Sequence, residues 1–322
     1  MSGADLAGHD QAWLEWRAAL ASARLHHAWI LAGPQGIGKG HFARAAAAEL
    51  VAERGAAQPR WDRHADIILL DALPANEAEE EKRAEGKPYQ TKRNIAIDQV
   101  RRMQQRLTTR PTLGSRRAIV IDPADDLEKS AVNALLKSLE EPPTGTFFLL
   151  VAHRPGRLPP TIRSRCRVLR FAPLADAEIE RILAGEAPEA DQATRAAAIA
   201  AAQGSPGTAL GFVQAALGPI HSLMLAIIRD GDATLTLRGQ LAEAVGARPD
   251  RERQMAVLDL ARAVLARNLA QAGAPRQIRM IEAHAALARL SAQVPTYNFD
   301  PGLLAMEIGG LLASAAVPRE TA

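Results

Sequence analysis

A single cysteine, Cys166, stands in 322 residues, so the sequence supplies neither a disulfide framework nor a cysteine-based zinc site. Aromatic side chains are scarce at 4%, and packing falls instead to aliphatic residues and abundant alanine, which favours closely packed helices. No run approaches the roughly 18 consecutive apolar residues of a membrane span. The N-terminus has no basic segment followed by an apolar core, so no secretory signal is expected. Neither sign of charge dominates: 39 Lys and Arg face 36 Asp and Glu, a net +3 with a pI near 9.3. Such an excess is compatible with a surface that faces nucleic acid but does not establish one, and no base-reading motif accompanies it. There is no internal repeat or low-complexity tract. A cytoplasmic protein without membrane contact is expected. What is present is an apolar fraction of 48%, enough core for two or three domains.

Chemistry-bearing patterns gather in the first half. Gly33-Pro34-Gln35-Gly36-Ile37-Gly38-Lys39-Gly40 follows the apolar run Ala28-Trp29-Ile30-Leu31-Ala32 and precedes a helix-forming run over 41–51. Strand, glycine loop and helix are the context of a phosphate loop. Gly33, Gly36 and Gly38 would let backbone N–H groups turn onto an anion, and Lys39 would reach terminal phosphates. The pattern calls for Ser or Thr after the lysine, to put a hydroxyl on magnesium. Gly40 stands there and has no oxygen to offer. A second buried-strand run, Ala118-Ile119-Val120-Ile121, ends on Asp122, the place where such proteins keep a carboxylate beside the metal. Another apolar run spans 147–152, after the amphipathic stretch 131–141.

The loop, the run Asn133-Ala134-Leu135-Leu136-Lys137-Ser138-Leu139-Glu140-Glu141-Pro142-Pro143, the segment Leu158 to Cys166 with Ser164-Arg165-Cys166, and Gly204-Ser205-Pro206-Gly207-Thr208-Ala209-Leu210 together resemble the clamp-loader branch of AAA+ proteins. The resemblance covers nearly the whole chain. It implies an α/β fold: a parallel-sheet core over 1–172, a three-helix lid over 173–213, and an all-α collar over 214–322. It also implies the partners: ATPase subunits of the gamma/tau kind and a delta subunit in a hetero-pentamer, a sliding clamp, and primer-template DNA.

Set against that family, four positions bear on ATP hydrolysis. Gly40 replaces the metal hydroxyl. Pro123 follows Asp122 where active relatives carry the Glu that orients water. Gly207 stands where the family's lid places a nucleotide-touching arginine, and Val151-Ala152-His153 offers only His153 at the small polar sensor. Phosphoryl transfer rests on such groups, so a chain that does not hydrolyse ATP and requires no cofactor is expected; an active gamma/tau-type ATPase is the alternative. Arg165 is retained, and the resemblance makes it a finger reaching a neighbouring subunit's nucleotide site, a task suited to a permanently charged planar fork. The plain alternative is a surface ion pair.

Other readings are local. The family's four-cysteine zinc module has no counterpart in the cysteine-free region 52–66, so no zinc is expected. His26 and His27, adjacent on a strand, point to opposite faces and make a poor metal pair. His64 resembles a histidine that follows the module in relatives. The charged segment 73–93 reads as a solvated, mobile insertion. Ile95 and Ile97 alternate as a strand, and Asp98 is placed to cap a helix over 99–107. The resemblance sets that helix near DNA, making Arg101, Arg102 and Arg106 candidate phosphate contacts; plain surface arginines are the alternative. Cys166 reads as a small buried apolar residue.

Overall fold

The computed structural model describes residues 8–22, 24–53, 59–87, 89–294 and 296–316. The chain divides after Pro173 into two compact units.

Five strands form the sheet of the first unit: β1 (Ala28–Ala32), β2 (Ile67–Leu70), β3 (Arg117–Ile121), β4 (Thr146–Ala152) and β5 (Arg167–Arg170). Their order is β2-β3-β4-β1-β5, with every pairing parallel. Ile30 and Ile121 both lie in register with Leu150 on the central strand β4. Side chains alternate between faces. Trp29, Leu31, Val120, Leu149 and Val151 enter one buried cluster, with Phe42 and Leu50. Ile30, Ile119, Ile121, Phe148 and Leu150 enter the other, with Met103 and Leu135. Both faces are covered, so the three central strands are apolar beyond Arg117 and Thr146 at their starts, as a parallel sheet between helices requires. This is why runs at 28–32, 118–121 and 147–152 are legible as strands.

Among the described residues, six α-helices belong to this unit: α1 (Asp10–Ala21), α2 (Lys39–Val51), α3 (Glu77–Ala84), α4 (Ile97–Leu107), α5 (Lys129–Glu140) and the single turn α6 (Pro160–Arg163). In α2, Phe42, Ala43, Ala46, Ala47 and Leu50 repeat at helical spacing and are buried, and the alanines bring the helix close to the sheet.

Three expectations are corrected here. Residues 73–93 are not a shapeless charged loop. Asn76 caps α3 by accepting from Glu79 N at 3.0 Å, and the buried Glu79 carboxylate accepts from Gln90 N and Lys82 Nζ, each at 2.7 Å. Pro74 and Thr91 close the segment in an antiparallel bridge. Nor does Asp98 cap α4: the helix begins at Ile97, and Gln99 Oε1 accepts from Ala96 N at 3.1 Å instead. Ile95 makes only a single bridge, to Leu127, so no strand precedes α4. Of the cysteine-free region 52–66, residues 54–58 lie outside the described residues.

The second unit is helical: α7 (Asp176–Glu186), α8 (Gln192–Ala202), α9 (Pro206–Gln214), α10 (Gly218–Asp230), α11 (Thr236–Val245), α12 (Arg251–Leu269), α13 (Ala274–Gln293) and α14 (Pro301–Ser314). The groups expected as lid and collar share one buried cluster running from Leu174 to Ala315. Arg253 on α12 helps to join them. Its guanidinium donates to Ala215 O at 2.5 Å, just after α9, and to Ala244 O and Val245 O at the end of α11. A cation serves well at helix C-termini, where carbonyls lack intrahelical partners. The helices expected as lid and collar therefore share a common core within the second unit. Among the described residues no single helix is long and apolar enough to cross a membrane.

Candidate functional site

The site lies where β1, β3 and β4 end, at the carboxyl edge of the sheet, the usual ligand crevice of an open α/β fold. Gly33 leaves β1 with its N–H on Ala152 O at 3.2 Å. A Cβ at Gly33 would meet Phe171 O at 2.5 Å and the Ile37 side chain at 2.8 Å, so the close approach of chain segments demands glycine. Gly36 and Gly38 adopt φ of 76° and 99°, the left-handed region that glycine enters freely. His9, at the start of α1, sets Nε2 against Ile37 O and its ring edge-on to Phe171. The loop thus makes a glycine-dependent turn between β1 behind it and α2 ahead.

Lys39 opens α2 and is only 2% exposed. Its Nζ donates to the loop's own carbonyls, Gly33 O at 2.7 Å and Pro34 O at 2.5 Å. Burial pushes its pKa down to about 8, against the opposing pull of Asp122 and Asp125.

Asp122 follows β3 and is tied down by its N–H on Leu70 O at 2.9 Å. Its Oδ2 receives Arg44 Nη1 at 3.1 Å, a largely buried ion pair. Arg44 sits on α2 one turn beyond Gly40, and its guanidinium lies 5.3 Å from the centre of the Trp61 ring. A Cβ built on Gly40 collides with Asp122 Oδ2 and lies 2.7 Å from Arg44 Nη1. Gly40 is more than a missing hydroxyl, because its bare Cα makes room for this pair. Asp71, at the end of β2, has its pKa raised by burial, while Arg83 and Arg44 oppose the rise.

The remaining groups are also spent. Asp125 accepts from His153 N at 2.5 Å and Arg154 N at 2.9 Å, which fixes the turn after β4. His153 has its pKa lowered, first by burial and then by Lys39, and its Nδ1 is buried without a hydrogen-bond partner. Pro123 offers no carboxylate, and Gly207 in the first turn of α9 has no side chain. A magnesium ion of the kind that phosphoryl-transfer enzymes hold at this place does not fit these residues: Gly40 gives no ligand and an arginine occupies Asp122.

Arg165 follows α6. It pairs with Glu140 Oε1 at 2.7 Å, donates to Thr161 O at 2.8 Å, and keeps 34% of its side chain exposed. On α4, Arg101 pairs with Asp98 at 3.5 Å and Arg106 donates to Ala65 O at 2.8 Å. Arg102 and Arg106 stand one helical turn apart, whereas Arg101 lies round the helix from them, so the three arginines do not form one row. Cys166 is half-buried, and burial pushes its thiol up to about 12, out of reach of thiolate chemistry. His26 and His27 stack on each other, with His27 Nε2 on Leu139 O at 3.0 Å, and His64 Nδ1 accepts from Asp66 N at 3.1 Å. Among the described residues no three His, Cys, Asp or Glu gather as a metal site. Sequence reading missed Arg44, Asp125, Glu140 and His9. Only Arg44 had a signal, its helical spacing of four from Gly40.

Comparison with known proteins gives three concordant results. A family model described as DNA polymerase III, delta subunit, matches residues 8–175. A DNA polymerase III subunit delta′ from Pseudomonas aeruginosa PAO1 is 37% identical over 212 residues, 60% of this chain and 59% of the relative. The Escherichia coli K12 subunit delta′ is 37% identical over 127 residues, 39% of this chain and 38% of the relative. The matches thus span less than two thirds of those relatives' lengths. Among solved structures, a DNA polymerase III gamma subunit-related protein from Thermotoga maritima superposes with a TM-score of 0.53. That alignment covers 94% of this chain and 99% of the other, at 16% identity, and speaks to fold alone. The fold is the AAA+ type, a parallel sheet with a helical C-terminal unit.

Proposed function

The chain belongs to the DNA polymerase III delta-subunit family, aligning with its delta′ members, and from that premise we propose that it is a clamp-loader subunit that does not hydrolyse ATP. The observation that carries this reading is the Arg44–Asp122 pair packed over Gly40. It leaves the phosphate loop and its lysine in place while removing the metal seat, and Pro123 removes the water-orienting carboxylate. The subunit acts as a stator, assembled with gamma/tau ATPase subunits and delta in a hetero-pentamer that sets the sliding clamp on primer-template DNA. It needs neither a nucleotide cofactor nor zinc. Arg165 serves in trans at a neighbour's nucleotide site, and Arg101, Arg102 and Arg106 face DNA phosphates. The test is turnover of radiolabelled ATP by the purified chain with magnesium. No turnover is expected; a magnesium-dependent turnover abolished by Lys39→Ala would instead establish a gamma/tau-type ATPase.

A further inference from the structure

We propose that Arg44 is the resident cation of the degenerate nucleotide site, its guanidinium standing in the divalent ion's place against Asp122. Three features on two elements converge. The ion pair measures 3.1 Å and is mostly shielded from water, with 23% of the arginine side chain and 16% of the aspartate exposed. Gly40 has been emptied to admit it, since even a β-carbon there strikes Asp122 Oδ2 and crowds Arg44 Nη1. The Trp61 ring, its centre 5.3 Å from the guanidinium carbon, also packs on the arginine, which limits the positions open to it.

The charge balance follows the same logic. Asp122 and Asp71 follow adjacent parallel strands, and the second is half-buried, with partial burial raising its pKa, Arg83 and Arg44 opposing the rise and Asp122 adding a smaller repulsion. Two carboxylates so placed need a positive group between them. In a metal-dependent loop a divalent ion supplies that charge together with a Ser or Thr oxygen. Here a planar guanidinium supplies it permanently. The nearby Asp125 is unavailable as a replacement ligand, because both its oxygens are taken by backbone amides. Glycine at 40 leaves the ends of the Asp122 and Arg44 side chains free to meet. A serine restored at 40 would meet the arginine, and an alanine at 44 would leave Asp122 without its ion-pair partner. The exchange is a property of the isolated chain and stands apart from any role in clamp loading. It makes the end of β3 indifferent to magnesium, so this core holds one state through a neighbour's nucleotide cycle.

The experiment uses the full chain with MgCl2 or MnCl2 alone as probes. The wild type should melt at the same temperature in MgCl2 and in NaCl of matched ionic strength, and should leave Mn2+ free by electron paramagnetic resonance. Arg44→Gln, which keeps a polar side chain but removes the charge, should melt several degrees lower. It should also gain Mn2+ affinity by about tenfold or more, the scale of one modest charge contact exchanged. Asp122→Asn added to Arg44→Gln should abolish that gain and lower the melting temperature no further. A wild-type Mn2+ site lost in Asp122→Asn overturns the proposal. So does an Arg44→Gln chain that neither loses stability nor gains Mn2+, or a double variant whose losses simply add. Should Arg44→Gln fail to fold, the wild-type Mn2+ and Asp122→Asn measurements still decide the matter.

Discussion

At Gly40 a hydrogen atom stands where a β-carbon would strike a carboxylate. The loss of a metal ligand there is legible from sequence, because the loop is contiguous and its pattern fixed. The gain of Arg44 is not, because it depends on β3 delivering Asp122 opposite α2. Gly40→Ser should therefore create no ATPase activity. It should also cost about 1–3 kcal/mol of stability, the usual toll of forcing atoms into a packed site; denaturant unfolding and ATP turnover measured together check both halves. Lys39 gives a second residue-scale expectation. Its folded pKa is lowered to about 8 from an ordinary 10.5, so between those values the unfolded chain holds the extra proton. Stability should then rise as pH climbs through that window, and below it the chain carries the full penalty of a buried charge. Lys39→Met, close to it in size, should flatten the rise and raise the melting temperature at pH 7. A variant whose pH profile parallels the wild type's would show that Lys39 titrates normally.

Among the elements, β1, β3 and β4 were readable because both faces of a covered parallel sheet must be apolar. Segment 73–93 was misread for the opposite reason. Seven of its residues between 77 and 87 carry charge on Glu or Lys and one on Arg83, a composition that ordinarily remains solvated. What orders it is local: Asn76 at the helix start and Glu79, a single buried carboxylate bridging α3 to the returning chain at Gln90. Neither contact leaves a periodic trace. Glu79→Ala should unfold this segment while sparing the sheet, since the Gln90 amide loses its charge-assisted acceptor. Hydrogen exchange should show faster exchange confined to 73–93, and limited proteolysis should cut there first. Protection unchanged in that stretch would mean that α3 is held by something other than Glu79. The cap of α4 was misplaced by similar ambiguity. Asp98 has the right residue type for a cap, but Gln99 reaches the same backbone from inside the helix.

For the molecule as a whole, the division after Pro173 and the cluster shared by α7–α14 set what Arg165 can do. Its anchoring residues, Glu140 and Thr161, both lie in the sheet unit, so its loss leaves the helical unit and any assembly through it untouched. Sequence could weigh a finger against a surface pair but could not see Glu140, because that contact joins the end of α5 to the turn after α6. The structure supplies the pair, and the two readings now differ in what happens when it is cut. An exposed ion pair is worth about 0–1 kcal/mol, so Arg165→Ala should fold and keep its melting temperature. As the proposed finger it should act elsewhere. Such a group is worth roughly 10³–10⁵ in turnover at the site it serves. Several ATPase sites share a loader and the others draw on other subunits' arginines, so total ATPase of a reconstituted assembly should fall only in part. Clamp loading, if it needs every site, should fall further. Arg165→Lys should rescue poorly, since an ammonium lacks the planar fork, and Arg163→Ala should be mild. ATPase and loading measured side by side on each variant give the answer. Wild-type behaviour of Arg165→Ala in both would leave the residue as Glu140's surface partner and nothing more.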